Sequence, residues 1–153
     1  MEPLRKAYRN AVGIGAAMIA SLFIYAVLVE VLKRQQVPFG SLASFPEIKW
    51  LSTLLYVLAL LQIVVIRIVQ RLLWKKRATD DLPSLIARLN ACTMVTYALC
   101  EAPAIYGLVL FLLGGLYRDF YLLLAYSLLL QLAYFPRYGR WEEWVRSTSG
   151  FTG

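Results

Sequence analysis

Four apolar runs, each long enough to cross a bilayer, are separated by short polar stretches. A spanning helix needs about 20 mostly apolar residues. Ala11–Val29 carries no charge, Trp50–Ile66 carries none and continues past Arg67 to Leu73, and Phe120–Pro136 carries none. Between Leu89 and Tyr117 lies a 29-residue stretch whose single charge is Glu101. The pattern predicts helices over residues 8–33, 49–74, 84–114 and 117–136, all in one unit spanning 1–153.

The connections predict how these helices pair. Lys75–Pro83 is short and polar, so the second and third helices form an antiparallel hairpin. Gly114-Gly115 is a tight turn that makes a second hairpin of the third and fourth. Gln35–Ile48 is a loop punctuated by Pro38, Gly40 and Pro46. After Pro136, Trp141, Trp144 and Val145 stand among charges, which predicts a short interfacial helix over 139–147. The expected fold is an all-α integral membrane protein of four transmembrane helices in two antiparallel hairpins. The first run follows Arg5, Lys6 and Arg9 but is too long for a signal-peptide core, so it is expected to be retained.

Composition strengthens this picture: 60% of residues are apolar and 16% charged, against a net charge of +7. The charge is unevenly placed. Arg5, Lys6, Arg9, Arg67, Arg71, Lys75, Lys76, Arg77, Arg88, Arg137, Arg140 and Arg146 fall on one side, and Lys33, Arg34, Lys49 and Arg118 on the other. Basic residues accumulate on the cytoplasmic side, so both termini are expected there, in a multi-pass protein of the cell (inner) membrane. The membrane accounts for the basic residues, and nucleic acid is not an expected partner. The expected partners are the lipid bilayer and either further copies of this chain or a larger membrane complex.

The chain has no His, and its two cysteines, Cys92 and Cys100, show no metal-ligand spacing. Eight helical residues span about 12 Å, beyond the ~7 Å a disulfide allows, so they read as buried thiols. Without a nucleophile–base pair or a phosphate loop, neither enzyme activity nor a cofactor is expected. Small residues Gly13, Ala17 and Ser21 recur at four-residue spacing in the first helix, which predicts a close-packing face. Glu30 precedes Lys33 and Arg34 at ion-pair spacing. Trp50, Trp74, Tyr117, Phe120, Tyr121, Tyr134, Phe135 and Tyr138 read as interfacial belts.

Glu101 is the candidate site. In hydrocarbon an unpaired carboxylate costs several kcal/mol, so it is protonated, partnered or facing a polar cavity. Pro103 has no N–H for the Leu99 carbonyl and leaves that acceptor free one turn away. Tyr97 lies one turn earlier on nearly the same face, and Ala98 and Ala102 keep the surroundings small. An antiparallel second helix places Gln62 at the depth of Glu101 and Arg67 nearer Asn90 and Thr93. Gln62 is thus the first expected partner and Arg67 the second, with Tyr106 completing the ion-binding group.

The run Thr93-Met94, Ala98-Leu99, Glu101-Ala102 and Ala104-Ile105-Tyr106-Gly107-Leu108-Val109 resembles the second helix of the proteolipid ring subunit (subunit c) of rotary ATP synthases. The resemblance implies that Glu101 occupies the position carrying the translocated ion. Ala102, where sodium-binding members tend to have a hydroxyl residue, implies protons. The likeness covers roughly twenty residues, and Trp50–Trp74 lacks the glycines of that family's first helix. The expected function is therefore a small polytopic membrane protein that handles a proton or cation at Glu101. The alternative is a structural or accessory subunit in which Glu101 only fixes helix packing.

Overall fold

The computed structural model of the chain describes residues 2–35, 45–73, 82–136, 139 and 142–143. They form four helices: α1 (Glu2–Arg34), α2 (Phe45–Leu73), α3 (Leu82–Gly114) and α4 (Tyr117–Ala133). The described part is all-helical. The interfacial helix expected over 139–147, Trp74 and the Lys75–Arg77 cluster lie largely or wholly outside the described residues.

Three helices are long and apolar enough to cross a membrane, over Arg5–Arg34, Ile48–Leu72 and Pro83–Gly114. The fourth is shorter than its sequence reading. With 17 residues, α4 rises about 26 Å, short of a ~30 Å hydrocarbon core. Three residues expected at its end lie beyond Ala133, where Tyr134 donates its N–H to the Leu130 carbonyl and the chain leaves the helix.

The helices run up, down, up and down, and α3 is their shared partner. It packs on α1, α2 and α4, and α1 also meets α4. Ala7 and Ala11 of α1 cluster with Leu85 and Leu89 of α3 at one end, and Val29 clusters with Phe111 and Phe120 at the other. α1 and α3 are therefore parallel. On the other flank Ala59 meets Leu110 and Leu123, and Ile66 meets Cys100 and Leu130, which sets α2 antiparallel to α3. α3 and α4 are joined by Gly115 and Leu116. Gly115 takes a φ of 66°, the left-handed region that glycine enters without strain, and donates to the Phe111 carbonyl at 2.8 Å.

Close approach is carried by other small residues than the stripe expected. Gly13 and Ala17 are exposed, and a Cβ on Gly13 meets nothing within 4 Å. Ala7, Ala11 and Gly15, also four apart, are the ones buried. On α3, Ala98 is exposed and Ala102 half-buried, while Ala104 and Gly107 are fully enclosed. A Cβ on Gly107 would lie 3.1 Å from both the Cα and the carbonyl oxygen of Phe120, so the α3 and α4 backbones touch there. Phe120, expected in an interfacial belt, is completely buried against Phe111 and Tyr121.

The outward faces remain apolar. Phe23, Ile24, Val57, Leu60, Leu61, Val64, Ile68, Met94, Leu122 and Leu129 are exposed. Such continuous apolar surface exceeds what a soluble monomer presents and suits acyl chains. Gly107→Ala is expected to destabilise the fold by about 1–3 kcal/mol, because the partner is backbone that no rotamer change can move. Gly13→Ala is expected to stay within about 1 kcal/mol of the parent. Thermal unfolding of the two variants in one detergent checks the contrast.

Candidate functional site around Glu101

Glu101 is half-buried near the middle of α3, on the side turned to α1. Both of its described bonds come from that helix. Ser21 Oγ lies 2.7 Å from Glu101 Oε1, and Tyr25 Oη donates to the same oxygen at 2.7 Å. Ser21 and Tyr25 are four residues apart, so one turn of α1 presents both hydroxyls to one carboxyl group.

Ser21 Oγ also stands 2.7 Å from the Met18 carbonyl. A hydroxyl has one proton, so the contacts close in two ways. With Glu101 ionised, both hydroxyls donate to it. With Glu101 protonated, it accepts from Tyr25 and donates to Ser21, whose own proton turns to Met18. The ionised arrangement leaves the 2.7 Å contact between Ser21 Oγ and the Met18 carbonyl without a proton of its own, and the protonated arrangement satisfies all three contacts.

The structure separates the residues that the sequence grouped. Gln62 faces α3 but takes its bond from Tyr106, whose hydroxyl donates to Gln62 Oε1 at 3.4 Å. Glu101 and Tyr106 are five residues apart, about 140° around the helix, so one addresses α1 and the other α2. Arg67 is exposed on α2. Gln62 and Arg67 therefore give way to Ser21 and Tyr25 as the contacts of Glu101.

Pro103 is fully buried within α3. The carbonyl that receives a bond from another helix is that of Cys100, accepting from Ser127 Oγ of α4, one residue on from the expected Leu99 acceptor. Tyr97 is buried one turn below Glu101, with its ring edge-on to Phe135 at 6.5 Å. Its hydroxyl occupies the space beside Gly15, where a Cβ would lie only 2.6 Å from it.

Tyr25 was missed because nothing in the apolar run Ala11–Val29 marks which face of α1 meets α3. Six of the ten tyrosines donate between chain segments that pack side by side. Two of these bonds repeat the Glu101 pattern. Tyr56 of α2 donates to Asp119 of α4 at 2.6 Å, and Tyr121 of α4 donates to Glu30 of α1 at 2.6 Å. Glu30 thus bonds across helices, and Lys33 and Arg34 of its own helix also favour its charge, as their spacing predicted. Lys33, one of its expected partners, sits over the Tyr117 ring at 5.0 Å.

Cys92 and Cys100 are buried and not joined in a disulfide. Among the described residues no group of three or more His, Cys, Asp or Glu is placed to hold a metal ion. No protein-family model matches this chain, and no curated protein or solved structure is significantly similar to it.

Removing one hydroxyl leaves the half-buried carboxyl group short of one of its two partners. Tyr25→Phe and Ser21→Ala are each expected to cost about 1–3 kcal/mol. Combined with Glu101→Leu, neither is expected to add its full single-variant cost. A double-mutant cycle on thermal unfolding measures the coupling, and strict additivity would show that the contacts carry no energy.

Proposed function

We propose that this chain is a four-pass protein of the cell (inner) membrane, with both termini cytoplasmic, that binds and releases a proton at Glu101. The observation that carries the reading is the pair of α1 hydroxyls held 2.7 Å from Glu101 Oε1, one of which turns its own proton to the Met18 carbonyl when Glu101 carries one. α4, at 17 residues, lies at the lower limit for a spanning helix, and its apolar side chains favour the bilayer over water. The basic residues at the N-terminus and beyond α4 favour the cytoplasmic assignment. The resemblance of Ala98–Val109 to the proteolipid ring subunit favours protons as the ion, through Ala102.

A second reading has its own support. Glu30 and Asp119 accept tyrosine hydroxyls across helix seams just as Glu101 does. The bond at Glu101 is then a packing device, and the protein is a structural or accessory subunit of a larger membrane complex.

A hydrophobic carbodiimide attacks protonated carboxyl groups inside membranes and separates the two readings. Proton exchange at Glu101 is expected to give labelling there that declines as pH rises and vanishes in Glu101→Gln, which stays folded. A Glu101 that resists the reagent at every pH leaves the packing reading. In that case Glu101→Gln is expected to be almost silent and Glu101→Leu to lower the unfolding temperature. Epitope tags at each end, expected to be reachable only from the cytoplasmic side, check the topology.

A further inference from the structure

One level of the α1/α3/α4 seam holds buried polar atoms that have no hydrogen-bond partner among the described residues. They are Thr96 Oγ1, Tyr97 Oη, and both Nε2 and Oε1 of Gln131. Their side chains are among the least accessible in the protein: Thr96 is 4% exposed, Tyr97 1% and Gln131 0%. Each such atom ordinarily carries a penalty large enough to be selected against, and buried polar groups are nearly always satisfied by protein or by ordered water.

The α3/α4 register brings these residues together. Gly107 touches Phe120, and Ser127 bonds to the Cys100 carbonyl. Stepping four residues back along α3 and four forward along α4 places Thr96 opposite Gln131. Tyr97 follows Thr96, and its ring meets Phe135, one turn beyond Gln131. The hydroxyl of Tyr97 is turned to α1, into the space that Gly15 leaves open. Two hydroxyls and a carboxamide thus lie within about one helical turn of one level, a set that offers donors and acceptors but no charge. That chemistry fits water rather than an ion. A buried water makes about three hydrogen bonds, so four such atoms call for one or two.

Position gives the level a role. Tyr97 lies one turn from Glu101 on nearly the same face of α3, Thr96 is turned away from it, and Gln131 sits in the last turn of α4, two residues before that helix stops at Ala133. We propose that Thr96, Tyr97 and Gln131 form a buried water-binding site, and that protons reach Glu101 from the cytoplasmic side through it. The second half rests on the proton-exchange reading above; the first stands without it.

The two halves are tested separately. Thr96→Val and Tyr97→Phe each remove one hydroxyl with little change of shape, so both are expected to fold. If the atoms bind water, each variant is expected to lower the unfolding temperature in detergent by about 2–4 °C, and the pair to be non-additive. If the atoms are bare, removing them relieves a penalty. Unchanged or raised unfolding temperatures would overturn the water site. Gln131→Met, which keeps length and loses the amide, is expected to follow the first two variants.

For proton access, the readout is the rate at which the Glu101 carboxyl stretching band shifts when the reconstituted protein is moved into D2O. Loss of the band in Glu101→Gln assigns it. A several-fold slower shift is expected in Thr96→Val/Gln131→Met, and an unchanged rate overturns the access half. A parent protein without a protonated Glu101 band at any pH removes that half together with the proton-exchange reading. The unfolding series then decides the water site alone.

Discussion

Polar atoms on long apolar helices must find partners on neighbouring helices, and that constraint bears on which faces of this protein meet. Lipid tails are as apolar as Leu, so packing one apolar helix against another gains little from hydrophobicity alone. What distinguishes one helix face from another is where its few polar atoms find partners. Here the partner is repeatedly a phenol. Tyr25, Tyr56 and Tyr121 each reach across a seam to a carboxylate, linking α1 to α3, α2 to α4 and α4 to α1. Tyr126 and Tyr8 reach backbone carbonyls in the same manner. A tyrosine suits the task because its ring packs like any apolar side chain and its single polar atom sits at the far end.

The helices themselves were plain in the sequence, since charge-free runs of this length have few other fates. Glu101 was equally plain as a lone charge. Its neighbours were not, because an apolar helix gives no indication of its rotation about its own axis. Each residue turns the helix by about 100°, so Gly13 and Gly15 point to nearly opposite sides. Both begin or continue a stripe of small residues at four-residue spacing. The exposed stripe, Gly13-Ala17, was as good a candidate as the buried one, Ala7-Ala11-Gly15. The same ambiguity misdirected the search for a partner to Glu101. Gln62 has the right depth on α2, but Glu101 is turned to α1, and Tyr106 takes the side facing Gln62.

Tyr97 shows a further limit of sequence reasoning. Its spacing from Glu101 was visible, but its buried hydroxyl without a partner was not, because that depends on Gly15 and on the end of α4. Gln131 carries no signal of its own either. A single glutamine in a leucine-rich helix becomes informative only once the α3/α4 register sets it level with Thr96.

The central position of α3 bears on how the molecule assembles during synthesis. α1 and α2 meet too little to form a pair, and each finds its main seam on α3. A chain that has released only its first two helices therefore holds two faces without their docking partner. Tyr25 and Ser21 meanwhile lack Glu101. The bundle is complete only once the third helix packs against both and the turn at Gly115 sends α4 back along it.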